Sequence, residues 1–376
     1  MDQHVPSINL VARDNGVGLS RDLSILGEVL NASGFDVTVT GIHGGKLTKW
    51  LRPPAKRIEW RYRRVRGRDA ATRFDVNIML EHIWPDDLPF ARHNVLIPNP
   101  EWFLPRDRRH LDRIDLVLAK TRHAERIFRR LGKPVMYTGF TGRCRFDPEQ
   151  PRESCFFHLA GRSHAKGTER LLALWRRHPE WPLLTVVQNP RTARPGPPAP
   201  NIEHHVGYLA DDELRRLQNR HRFHLCPSET EGFGHYIVEA MTVGALTVTV
   251  DAAPMNELIT PDRGLLVPCE RTGTQHLATT HFFDEAAMEQ AIETAIRLDK
   301  PRLEQLGKAA RTWHRENREG FGARLTQVLH RLLDAPETLA ASLRQPPTAS
   351  PLTNPSLLQA RRSNTPPQDT LRKTVA

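Results

Sequence analysis

Cysteine is scarce in this sequence: Cys144, Cys155, Cys226 and Cys269 are the only four, and they stand far apart. Their spacing is neither that of a metal-ligand set nor that of a disulfide-stapled scaffold, which points to a reducing, cytoplasmic compartment. Long apolar runs are lacking too. The longest, Met241 to Val250, is ten residues interrupted by threonines, about half of what crosses a bilayer, so no transmembrane segment is expected. Met1 to Asn15 mixes acidic and polar residues with apolar ones and has no unbroken apolar centre of the kind a secretory signal needs. Negative charge is in deficit, with 43 Asp and Glu against 54 Lys and Arg, a formal charge of +11. Such a balance favours an acidic partner, whether nucleotide, anionic lipid, nucleic acid or polyanionic glycan.

What is present suffices for two folded domains. The chain has 376 residues, 39% of them hydrophobic and 26% charged, enough apolar material to offset the entropy of ordering a chain of that length. Ile8 to Ala12 reads as a strand, Asp14 to Gly18 as a turn, Leu19 to Leu30 as a helix and Phe35 to Val39 as a second strand. Further strands are predicted at Phe74 to Leu80, Asn94 to Ile97 and Ile114 to Ala119, the last leading into a helix over Arg122 to Leu131. Around Phe140 to Pro151 the pattern loosens into Gly, Arg, Asp and Pro. A second series follows, with strands at Cys155 to Leu159, Leu183 to Val187, Phe223 to Cys226 and Ala245 to Val250. Its helices are predicted over Thr168 to Arg177, Asp211 to Gln218, Glu285 to Leu298 and Arg302 to Leu333. Strands alternating with helices imply parallel sheets. The expected domains are 1–145 and 146–335, with terminal helices in the second. Residues 336–376, rich in Pro, Ser, Thr and basic residues without apolar periodicity, read as a disordered tail.

The stretch Pro227 to Gly234 runs from a strand end through a glycine turn into a short helix. In an open α/β sheet, ligands bind beyond the carboxyl ends of the strands, where glycines let an anion approach backbone N–H groups at a helix start. Glu231 and Glu239 lie eight residues apart, roughly 12 Å along a helix axis, too far to grip one small group. They can instead hold hydroxyls at opposite ends of an elongated ligand, and a nucleotide sugar has that shape. Taken alone, two glutamates at this spacing are more often a turn residue and a solvated helix residue.

Glu231 to Glu239 resembles the glutamate, seven residues, glutamate motif of the retaining group 1 (family 4-like) glycosyltransferases, which have the two-domain GT-B fold. The resemblance extends through Asn201 to Leu217, with Gly207 and Glu213, and Met255 to Pro268, with Glu257, Gly264 and Val267-Pro268. It implies an α/β chain with two Rossmann-like domains whose parallel sheets face a central cleft, the donor bound mainly by the second domain and the acceptor by the first. It also implies transfer of a sugar from a nucleotide diphosphate, most simply a UDP-sugar, with retention at the anomeric carbon and no cofactor. In the loop Gly161 to Gly167, Arg162 and Lys166 match in type the pair that binds the donor diphosphate, one residue closer together than the usual form. Charge on the departing phosphate is what such cations stabilise. Gly16 and Gly18 match a glycine loop near the donor phosphates, and Gly232, Phe233 and Gly234 belong to the donor-binding turn around the catalytic candidate Glu231, with Glu239 beyond it.

On the first domain, His82, Asn99 and Glu101 follow strand ends and are candidates for the acceptor side. No aspartate pair has the strand-end setting of a metal-dependent sugar transferase, since Asp86-Asp87 follows a proline and Asp211-Asp212 starts a helix; no catalytic metal is expected, and Arg162 and Lys166 take over charge neutralisation. Arg52 to Arg73 carries nine Arg or Lys against two acidic residues, with Trp60 and Tyr62 between them. The stretch suits peripheral contact with an anionic membrane, another polyanion, or solvent alone. Two rival readings remain: a nucleotide-sugar epimerase or hydrolase of the same fold, and a non-catalytic polyanion-binding GT-B protein. Donor sugar and acceptor are not legible.

Overall fold

Two six-stranded parallel sheets organise the chain in the computed structural model, which describes residues 4–344 apart from 14, 15, 17, 43–45, 66 and 68–71. The first sheet has the order β2-β1-β3-β4-β5-β6, from β1 (Ser7–Ala12), β2 (Asp36–Gly41), β3 (Phe74–Leu80), β4 (Ala91–Ile97), β5 (Leu116–Ala119) and β6 (Val135–Tyr137). Its crossovers include α1 (Gly18–Ala32), α2 (Lys46–Val65), the short α3 (Pro105–Arg108) and α4 (Arg122–Arg130). The second sheet has the order β12-β11-β10-β7-β8-β9. It is built from β7 (Glu153–Gly161), β8 (Leu184–Gln188), β9 (Ile202–Val206), β10 (His221–Cys226), β11 (Leu246–Val250) and β12 (Gly264–Val267). Between these strands run α5 (Thr168–Arg177), α6 (Asp211–Arg220), α7 (His235–Thr242) and α8 (Met255–Leu258). Every pairing in both sheets is parallel.

Central strands covered on both faces must be apolar throughout or satisfy their polar groups internally. β11 does the second: it is buried at all five positions, and the Thr249 hydroxyl donates to the Cys226 carbonyl at 2.7 Å. In the first sheet, Asn9, Asn77 and Asn94 line up across β1, β3 and β4 and hydrogen-bond side chain to side chain at 2.9 and 3.0 Å. Local signals set the helix starts. Thr121 caps α4 by accepting from Ala124 N–H at 3.0 Å, the usual role of a threonine ahead of a helix.

After β12 the chain forms an antiparallel hairpin, β13 (Cys269–Gln275) and β14 (Ala278–Phe283), then α9 (Glu285–Arg297) and the 35-residue α10 (Lys300–Asp334). The sequence boundary gave these terminal helices to the second domain. In the structure α10 straddles both domains. Near its start Gly307 packs on the Gly244 backbone. Further along, Arg324 donates to the Thr138 carbonyl at 2.7 Å, Thr326 meets Ser33 at 2.9 Å and His330 lies against Phe35.

The expected tail begins later than Pro336. Pro336–Arg344 is a helix, α11, with Leu339 buried and Leu343 packed against the core one turn on; Arg129 of α4 donates to the Leu343 carbonyl at 2.7 Å. Proline at a first helical position is no obstacle, and two leucines four apart make one apolar face. The remainder of the predicted tail, 345–376, lies outside the described residues. Among the described residues no helix is long and apolar enough to cross a membrane.

Candidate active site

The loops after β7 and β10 are tied together at the carboxyl edge of the second sheet. Glu229 N–H donates to the Ala165 carbonyl at 3.0 Å, and a Cβ on Gly167 would run into the Pro227 carbonyl. This juxtaposition brings Lys166 and Glu231, 65 residues apart, into a direct ion pair. Ser228 donates to the same carboxylate and also meets the Tyr236 hydroxyl. The ammonium of Lys166 lies 3.8 Å from the centre of the Tyr236 ring, where the ring quadrupole adds attraction. Lys166 and Glu231 are each about one-seventh exposed, so the pair is held on three sides yet reachable. Arg162 is exposed at the end of β7.

The turn beyond Glu231 needs its glycines. Gly234 precedes α7 with φ +103°, a conformation L side chains rarely adopt. A Cβ on Gly232 would collide with the Asn99 side chain and with Glu101 Oε1. Asn99 and Glu101, expected on the acceptor side, therefore face the turn of the second domain across the cleft. Phe233 is buried edge-on against Phe140, 5.3 Å between ring centres.

Asn99 and Glu101 are themselves buried, and Asn99 Oδ1 and Glu101 Oε2 have no hydrogen-bond partner. An orphaned buried oxygen costs about 1–3 kcal/mol. Burial pushes the Glu101 carboxyl up to about 8, with the charges of Glu231 and Glu81 acting in the same sense and Lys120 against it. Glu81 holds a left-handed backbone, φ 65°, unusual for a glutamate. It accepts from Asn99 Nδ2 at 3.2 Å and lies 3.4 Å from His82 Nε2. The other ring nitrogen of His82 meets Asp107 at 2.9 Å, fixing the imidazole. Strain of this kind, about 1–3 kcal/mol, concentrates at functional sites. The hairpin missed in the sequence reaches the same place, as Leu277 N–H donates to the Pro100 carbonyl and Gln275 to that of Glu101, at 3.1 and 3.0 Å.

Glu239, a donor-binding candidate, has protein partners on both carboxylate oxygens. It is buried, accepting from Arg21 of α1 at 2.6 Å and from Gln218 of α6 at 2.7 Å. Gly18 opens that same α1, and Gly16 lies in the turn before it; Asn15 and Val17 fall outside the described residues. One turn of α7 away, His235 meets Asp22 at 2.7 Å, and Asp22 also accepts from Lys120 at 2.7 Å. Burial alone would raise the Asp22 carboxyl, but Lys120 and His235 outweigh it and hold it below its ordinary value. Glu257 completes the bridging set by accepting from the Arg122 and His123 N–H groups at the start of α4, at 2.6 and 2.7 Å.

Arg21, Asp22, Lys120 and His235 were not singled out in the sequence. The available signals were an acid on the apolar face of α1, between Leu19 and Leu26, and a lysine directly after the fully buried run Leu116 to Ala119. Among the described residues, no three His, Cys, Asp or Glu side chains gather as a metal site would require.

Two Rossmann-like sheets joined by a crossing terminal helix, with polar loops of both facing one cleft, define the GT-B fold. Solved structures agree on the fold. A glycosyltransferase from Rickettsia africae ESF-5 superimposes with a TM-score of 0.66 at 12% identity, covering 88% of this chain and 100% of its own. Sucrose-phosphate synthase from Thermosynechococcus elongatus gives 0.63 at 16%, with 88% and 100% covered. The Anabaena protein Alr3699/HepE, solved with UDP and glucose, gives 0.59 at 15%, with 87% and 100% covered. No curated protein matches the chain by sequence. Residues 201–313 match the family model described as glycosyl transferases group 1.

Proposed function

We propose that the protein transfers a sugar from a UDP-sugar to an acceptor held by the first domain, with retention at the anomeric carbon and without a metal ion. The observation that carries this reading is the contact between Lys166 and Glu231. A cation suited to the departing diphosphate and a carboxylate suited to the sugar hydroxyls meet at one point of the cleft. Arg162, four residues before Lys166, would add positive charge to the same loop, and a helix start such as that of α7 favours a nearby anion. Negative charge developing on the leaving group would be met by groups already in place, which is where electrostatic catalysis gains most. Glu231 would orient the sugar. His82, Asn99 and Glu101 would line the opposite side, next to the acceptor.

The choice of UDP leans on the likeness to the Anabaena protein, whose structure holds UDP and glucose. A cytoplasmic setting is supported by four cysteines that are all free. A panel of nucleotide sugars screened by thermal shift tests the donor, because a ligand that binds only the folded state raises its melting temperature. A UDP-sugar is expected to give the largest rise, unchanged by EDTA, and the product anomer is expected to match that of the donor. Stabilisation only in the presence of magnesium or manganese, or an inverted product, would overturn the metal-free or the retaining part of the reading. Release of free or epimerised sugar with every acceptor tried would favour a hydrolase or epimerase instead.

A further inference from the structure

Helix α2 is mounted the wrong way round for an ordinary surface helix. Over its described side chains, Lys56, Glu59, Trp60 and Arg63 are half-buried. Lys56 lies 4.7 Å from the centre of the Phe90 ring and 3.7 Å from the buried Asp87, and Arg63 bonds back to Glu59 at 3.3 Å. The polar half of the helix therefore holds it to the domain. On the opposite side three apolar residues face solvent: Ile58 is 68% exposed, Tyr62 58% and Val65 89%. Spacings of four and three put these residues in one stripe. Arg57, Arg61 and Arg64 are exposed along one side of that stripe, and Pro54 continues it.

Single exposed apolar side chains need no explanation, but a row of them does. Nine large hydrophobic residues are exposed among the described ones, and three of the nine fall within the eight residues from Ile58 to Val65. The rest of the basic segment is not the decisive feature, because arginines alone would suit any polyanion. A nucleic acid or an acidic glycan has no use for an isoleucine and a valine between the arginines. A bilayer interface uses both, taking apolar side chains into the boundary of headgroups and acyl chains while anionic headgroups meet the guanidinium row.

We propose that the outer face of α2 is a docking surface for an anionic lipid bilayer, with Ile58, Tyr62 and Val65 entering the interface and Arg57, Arg61 and Arg64 at the headgroups. It holds the first domain, the acceptor side of the proposed reaction, against the membrane. The named contacts of the helix, with Phe90 and Asp87, differ from those of the Lys166–Glu231 cluster, with Ser228 and Tyr236, and the test of the surface requires no catalytic activity.

The full chain is sedimented with extruded vesicles of phosphatidylglycerol and phosphatidylcholine in equal parts, with vesicles of phosphatidylcholine alone, and in parallel titrated with heparin and duplex DNA. Binding to the anionic vesicles is expected, weakened at least tenfold in 0.5 M NaCl and at least tenfold without the anionic lipid. The pair Ile58→Ser and Val65→Ser leaves the charge intact and should weaken vesicle binding at least fivefold while leaving heparin binding unchanged. The triple variant Arg57→Gln, Arg61→Gln and Arg64→Gln should weaken both. All five positions are exposed, and an unchanged melting temperature checks that each variant is folded. Vesicle binding unaffected by the serine pair, absent in the wild type, or exceeded by binding to heparin or DNA would overturn the proposal. Each of those results would leave the donor-site reading untouched.

Discussion

The two walls of the cleft treat their polar groups in opposite ways. On the second-domain wall, Lys166, Glu231, Ser228 and Tyr236 satisfy one another. On the first-domain wall, Asn99 and Glu101 each keep a buried oxygen with no partner. The first arrangement is preorganised, since a diphosphate leaving group would meet charge already fixed in place. The second is incomplete: two acceptors remain open to which a hydroxyl in the cleft would donate. The two walls come within contact distance at Gly232, so one sugar can touch both.

Glu231→Ala should break the ordered wall. Removing the carboxylate leaves the half-buried Lys166 without its counter-ion and, on the proposed reading, the sugar without its orienting group. A fall in turnover of about a thousandfold, roughly 4 kcal/mol of barrier, is expected from steady-state assays with saturating donor, with circular dichroism unchanged. A variant within tenfold of wild type would remove Glu231 from the chemistry.

Gly232→Ala probes the meeting point itself. The added methyl must displace Asn99, opening the cleft by a fraction of an ångström, and misplacement on that scale costs about tenfold or more in rate. Asn99→Ala in the same chain creates room and should recover part of the loss. No recovery would mean that the glycine serves only the turn and that the two walls do not cooperate there.

The smallest effect distinguishes the incomplete wall by pH. With its carboxyl pushed up to about 8 from an ordinary 4.5, folded Glu101 keeps a proton that the unfolded chain has already released. More protons bound in the folded state means that stability falls as pH rises through that window and levels off above it. The melting temperature of the wild type should therefore drop more between pH 5.5 and 8.5 than that of Glu101→Gln, which has no proton to lose. Parallel curves would show that Glu101 titrates normally and that its burial is relieved in solution.

The same contrast explains what the sequence could show. Glu231, Lys166 and the turn glycines sit in local patterns, a strand end followed by a glycine turn and a helix, that survive reading in one dimension. The buried runs Leu116 to Ala119 and Leu246 to Val250 likewise declare themselves as strands. β9, Ile-Glu-His-His-Val, lies at the edge of its sheet and is half-exposed, so it offers no apolar run. β6 is only three residues long. Arg52 to Arg73 reads only as a charged stretch because Ile58, Tyr62 and Val65 within it are exposed and mark no buried stripe. Lys120 and Asp22 are 98 residues apart and meet only once the first domain has folded, and Arg21 and Glu239, 218 apart, meet only once the two domains pack together.

The central claim is that Lys166 meets the donor diphosphate and Glu231 the donor sugar. Calorimetric titration of UDP, GDP, ADP and TDP, each with and without an attached glucose, into the wild type, Lys166→Ala and Glu231→Ala tests it directly in the presence of EDTA. The account predicts UDP as the tightest diphosphate, with its affinity reduced at least tenfold by Lys166→Ala. Glu231→Ala should bind UDP nearly as the wild type does and lose only the increment contributed by the sugar. Undiminished UDP binding by Lys166→Ala, or no binding of any of the four diphosphates by the wild type, would contradict it.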